Sequence, residues 1–100
     1  MRITITARHR DVSDDLRQRA RALVERLAKL ASRPHDTRVI FGDDHGVATV
    51  ELRLHTVRGR VLVGRAEGDD HRTALDRAVA RVRRQLDKPA RRRSVAREVE

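Results

Sequence analysis

The sequence contains no cysteine, no tryptophan and no tyrosine, and only one phenylalanine. The missing cysteines exclude disulfides and thiolate metal sites. The missing aromatic rings exclude a stacking platform for unpaired bases, because Phe41 alone would have to serve as one. Long apolar runs are lacking too. No stretch approaches the roughly 18 residues of a membrane span, and residues 1–6 alternate polar and apolar instead of forming the unbroken run of a signal peptide. A soluble, cytoplasmic chain with no membrane partner is expected. Acids are scarce beside bases, 15 against 24, for a formal charge of +9.

Groupings that would carry chemistry are equally thin. The five histidines (His9, His35, His45, His55 and His71) have no pair three to five residues apart on one element, so a histidine metal site is not expected. Gly64 and Gly68 lack the Lys-Ser or Lys-Thr ending of a phosphate loop. Asp69-Asp70 and Ser13 are better explained as helix caps than as acid–base or nucleophilic groups. The chain is therefore expected to be no enzyme and to need neither a cofactor nor a small-molecule substrate.

One hundred residues make one domain. Its core must be packed from Val, Leu, Ile and Ala. Residues 2–7 alternate, with Ile3, Ile5 and Ala7 on one face, which predicts a half-buried strand. Ser13 followed by Asp14 and Asp15 opens a helix, since a hydroxyl cap and first-turn acids suit the free amides there. Leu16, Ala20, Leu23, Leu27 and Leu30 give it an apolar stripe over residues 14 to about 31, and Pro34 stops it. Residues 37–42 suit a second strand, residues 43–46 a turn, and residues 47–56 a third strand with Ala48, Val50, Leu52 and Leu54 inward. Arg58-Gly59 marks a tight turn before a fourth strand at 60–67. Asp69 or Asp70 caps a second helix at about 71–87, with the stripe Leu75, Val79, Val82 and Leu86. Residues 89–100 form a basic tail after a domain spanning 1–88.

The order β-α-β-β-β-α places the first two strands parallel and the rest in an antiparallel meander. Each helix has one stripe to bury, so both must cover the same sheet face. An α+β two-layer sandwich follows, with a four-stranded mixed sheet and two helices on one face, like a double-stranded-RNA-binding domain. Thr4, Thr6, Thr49, Glu51 and Arg53 belong to the bare face.

Of the 24 cations, 22 are arginine, whose planar fork of donors matches phosphate oxygens. Such a basic balance fits a polyphosphate partner, although solubilising arginines would give the same composition. Position separates the two readings. Arg77, Arg81, Arg84 and Lys88 recur at spacings of 4, 3 and 4, which makes a ridge of one sign beside the apolar stripe of the second helix. Only Asp76 and Asp87 on that helix relieve it, whereas a solvated helix face usually alternates in sign. The first helix adds Arg19, Arg26 and Lys29, with Arg33 just beyond. Two helices side by side would join these into one broad basic face for phosphate-backbone binding.

Residues 66–76 carry a motif. Ala66, Glu67 and Asp70, then Ala74-Leu75-Asp76, then Arg81, Arg84-Gln85-Leu86 and Lys88, resemble the ribosome hibernation-promoting factor family. That family is also called ribosome-associated inhibitor A or sigma-54 modulation protein, and the likeness is to its short form. The similarity runs over about residues 1–88 and is sharpest in the last third. It implies the same β-α-β-β-β-α fold. It also implies a domain that binds ribosomal RNA of the small ribosomal subunit, occludes the channel of messenger RNA and of A- and P-site transfer RNA, and so inhibits translation. By position, the RNA-facing role passes to Arg26, Arg81, Arg84 and Lys88; helical geometry adds Arg19, Lys29 and Arg77. The pattern is broken where His71-Arg72 replace an aromatic residue, and where Leu23 stands for a lysine. Longer members pair ribosomes through a second domain, for which this chain leaves no room, so a free monomer is expected. Two alternatives remain open: a regulatory protein-interaction module of the sigma-54 type working through the bare sheet face, and a general double-stranded RNA binder.

Overall fold

The computed structural model describes residues 1–8, 11–31, 34–57 and 59–87. Arg33, Lys88 and the tail at 89–100 lie outside the described residues. The elements are β1 (Arg2–Ala7), α1 (Asp14–Leu30), β2 (Pro34–Asp44), β3 (Val47–Thr56), β4 (Val61–Gly68) and α2 (His71–Asp87). The sheet order is β1-β2-β3-β4. β1 runs parallel to β2, and the β2–β3 and β3–β4 pairs are antiparallel. This is the mixed four-stranded sheet with two helices that the sequence predicts.

Alternation along each strand builds the two layers. In β3, Ala48, Val50, Leu52 and Leu54 are buried. Their partners across the sheet, Val39 and Phe41 in β2 and Leu62 and Ala66 in β4, are buried with them. Ala20, Val24 and Leu27 from α1 and Ala74, Leu75, Ala78 and Val82 from α2 close the same core. Each Leu or Val taken fully from water contributes about 1.5–3 kcal/mol, so this one cluster supplies most of the drive to fold. α2 lies across β3 and β4, while α1 covers β1 and β2 more lightly. Ile3 and Ile5 are accordingly only half-buried.

Three expectations are corrected. β2 extends to Asp44 and pairs there with Val47, so the turn is two residues and not four. His45 (φ 54°) and Gly46 (φ 84°) both adopt positive φ, as a type I′ hairpin requires, and the Gly46 amide donates to Asp43 Oδ1 at 2.9 Å. In α1 the buried row is Ala20, Val24 and Leu27, and Leu30 is 52% exposed. In α2, Ala74 and Ala78 are fully buried, and Val79 only partly. The small alanine methyls face the sheet and let the helix backbone come close, so bulkier residues are displaced to the flanks.

Gly64 shows how close. A Cβ built there would stand 2.4 Å from the Ala78 carbonyl oxygen and 2.8 Å from Val82 Cγ2. The strand glycine is thus a seat for α2, and it draws the helix down onto β4, the last strand of the sheet.

Candidate nucleic-acid interface

Both helices begin at caps foreseen from the sequence. The Ser13 hydroxyl accepts from the Leu16 amide at 3.1 Å. Asp70, not Asp69, caps α2, accepting from the Thr73 amide at 2.7 Å. That amide, helped by the Thr73 hydroxyl, holds the Asp70 carboxyl below its usual pKa. His71 fills the place of the absent aromatic residue. Its Nε2 donates to the Gly42 carbonyl at 2.7 Å, and its ring stands edge-on to Phe41 with centroids 5.8 Å apart. Cap and histidine together fix the start of α2, and so fix which way its arginines point.

Two contacts define the flanks of α2. Asp76 faces α1, where Arg19 grips it with two nitrogens at 3.0 and 3.1 Å. On the other flank Arg77 Nη1 donates to the Glu67 carbonyl at 2.8 Å, and Gln85 Nε2 to the Val63 carbonyl at 2.6 Å. Both acceptors belong to β4. Arg81 lies midway between Arg77 and Gln85 in the helical repeat, so it overhangs the same strand. The ridge of Arg77, Arg81 and Arg84 therefore runs along the β4 side of α2, away from Arg19. Arg19 and the α2 ridge thus lie on opposite flanks of α2.

The candidate residues are not equivalent. Arg26, Lys29, Arg81 and Arg84 are exposed and make no ion pair or side-chain hydrogen bond among the described residues. Lys29 and Arg84 sit in the last turns of their helices, where a cation is stabilised by a few tenths of a kcal/mol through the helix dipole. Arg81, in mid-helix, has no such structural reason. Arg19 and Arg77 already hold intramolecular partners. Lys88 lies outside the described residues.

The bare sheet face differs. Arg38 approaches Asp36 (3.5 Å) and Arg53 bonds Glu51 (2.6 Å), so two of its arginines are neutralised in place. Arg65 has no such pair among the described residues and was missed in the sequence. Strand alternation alone puts it on the outer face, but nothing local says that β4 is an edge beneath α2.

Chemically the α2–β4 flank offers, among the described residues, the guanidinium groups of Arg77, Arg81 and Arg84. Among the described residues no three metal-ligating side chains converge, and no helix is long and apolar enough to cross a membrane.

Comparison with known proteins agrees with this architecture. Residues 3–94 match the family described as sigma 54 modulation protein / S30EA ribosomal protein. No curated protein matches the chain. Among solved structures, a ribosomal subunit interface protein from Coxiella burnetii superposes with a TM-score of 0.74 at 21% identity, covering 86% of this chain and 93% of that one. The N-terminal domain of Protein Y from Thermus thermophilus gives 0.75 at 24% identity, covering 86% and 96%. At these identities the two structures speak for the fold.

Proposed function

The chain belongs to the sigma 54 modulation protein / S30EA ribosomal protein family, a ribosome-associated family, and from that premise we propose that it inhibits translation by seating on the small ribosomal subunit. In this reading α2 presents Arg81, Arg84 and Lys88 to ribosomal RNA, and α1 adds Arg26 and Lys29. Arg19 and Arg77 contribute less, because each would have to leave an intramolecular partner. Guanidinium groups bind phosphate oxygens in pairs, and such contacts give affinity without base recognition. That suits a chain with almost no aromatic surface. A domain held in the channel of messenger RNA and A- and P-site transfer RNA would exclude both by volume, so nothing need be turned over.

The observation that carries this reading is the unbalanced charge on the α2 flank. Like charges at this spacing cost a few tenths of a kcal/mol per pair, and a polyanion would reverse the sign of that cost. The paired arginines of the sheet face give the protein-interaction alternative no comparable feature.

Purified protein mixed with isolated small subunits should co-sediment with them, and added to a cell-free extract it should stop protein synthesis. Undiminished synthesis at several-fold excess over ribosomes would refute the proposal. Equal binding to any RNA duplex would favour a general double-stranded RNA binder.

A further inference from the structure

Among the described residues β4 ends the sheet, pairing with β3 alone. The free side of a strand offers a row of unpaired backbone groups, a template for another chain. Here two of those groups are capped from above by Gln85 and Arg77 at Val63 and Glu67. Arg65 stands between these two capped residues, its side chain exposed on the outer face of the strand. Above it, Arg81 stands between the two capping residues on α2. The space between holds a shallow depression of about 390 Å³, lined by Val63, Arg65, Arg81, Arg84 and Gln85. Three guanidinium groups from two elements share it, and among the described residues no carboxylate lines it.

Arg65 also borders a second depression, lined in part by Asp43, Asp44 and Glu51. Glu51 is its direct cross-strand neighbour. That carboxylate, however, is held by Arg53 at 2.6 Å, and Arg65 makes no ion pair among the described residues. Glu67, two residues along on the same face, makes no ion pair with it either, so the Arg65 charge is left available to a partner.

We propose that Arg65 is an RNA-binding residue, and that an RNA backbone strand lies in the groove between α2 and the free edge of β4, held by Arg65 from below and by Arg81 and Arg84 from above. This rests on the RNA-binding reading of α2 and extends it. The contact becomes a two-sided grip and not a helix face laid on RNA. The capped edge serves the same end, since Gln85 and Arg77 occupy the carbonyls that would otherwise recruit a β-strand, leaving the groove for a polyanion. Val63, 42% exposed, gives the groove an apolar floor suited to a ribose.

The test compares Arg65→Gln with Arg53→Gln, two exposed strand arginines on the same sheet face, in binding to purified small ribosomal subunits. Arg65→Gln should weaken binding about tenfold at low salt and lower the slope of log K against log salt by about one, as loss of one phosphate contact does. Arg53→Gln should change affinity less than about twofold, since its charge is already neutralised. Equal effects from the two variants, with thermal unfolding unchanged, would overturn the inference. The double variant Arg81→Gln/Arg84→Gln separates the two levels. If it weakens binding while Arg65→Gln does not, RNA binding by α2 stands and the two-sided groove falls. If it too is without effect, the reading on which the groove rests fails first.

Discussion

The outer sheet face and the β4-side flank of α2 both carry arginines, and they treat them differently. On the sheet, Arg38 and Arg53 each lie two residues from an acid on the same strand face, and the pairs Arg38–Asp36 and Arg53–Glu51 close within one strand. On α2, Arg81 has no acid at i±3 or i±4, Arg84 has Asp87 at i+3 but makes no ion pair with it, and no acid among the described residues lines their groove. Exposed pairs stabilise a fold by about 0–1 kcal/mol, so neither arrangement matters much to folding. What differs is the field left over for a partner. Arginine count does not locate a phosphate surface; arginine left without an ion pair does.

The largest expected effect breaks this comparison directly. Replacing Arg81, Arg84 and Lys88 with Gln should weaken binding to small subunits by roughly 10²–10³-fold at low salt, at about tenfold per lost phosphate contact. Replacing Arg2, Arg38 and Arg53 removes the same formal charge and should cost less than about fivefold. Both variants should keep wild-type helical content by circular dichroism, since all the described positions among the six are exposed. Comparable losses would mean that bulk charge, and not its placement, does the binding.

A smaller effect concerns how α2 is seated. Gly64→Ala puts a methyl group where the Ala78 carbonyl oxygen is 2.4 Å away, with backbone and not a flexible side-chain tip in its path. Overpacking of this kind costs about 1–3 kcal/mol. The melting temperature should fall by several degrees. RNA affinity should fall as well, because Arg81 and Arg84 move relative to Arg65. An unchanged melting temperature would mean that α2 is not held against β4 as described.

The smallest effect is at the α2 cap. Asp70→Ala should lower the melting temperature slightly, as loss of a helix cap does. The Asp70 carboxyl is held below its usual pKa by the Thr73 amide and hydroxyl, so its contribution is present above the unfolded pKa and lost as pH falls through the lowered folded one. The stability gap between wild type and Asp70→Ala should therefore be full at neutral pH and close in acid. A gap independent of pH would show that the cap is not acting through its charge.

Much of this was legible before the structure. The helix starts at Ser13 and Asp70, the bounds of β1, β3 and α2, and the cationic ridge all follow from local rules of period and capping. Where reading failed, the cause was long-range. Nothing near Leu30 tells that the buried row runs through Val24 instead, because the angle at which α1 meets the sheet is set by the sheet. His45 in a left-handed conformation shortens the β2–β3 turn, and a non-glycine residue gives little warning of it. Arg19 is separated by 57 positions from the Asp76 that holds it, so period alone ranks it equal to Arg26. Arg65 was not singled out at all, because its setting comes only from β4 being an edge beneath α2.

The central claim is that phosphate contacts made by the α2–β4 flank carry ribosome binding. Its most direct test is the affinity for purified small subunits measured across a range of salt, for the wild-type chain and for the Arg81, Arg84 and Lys88 triple variant. The account predicts a steep linear fall of log K with log salt in the wild type, and a slope shallower by about three in the variant. A flat response in the wild type, or equal slopes in both, would contradict it.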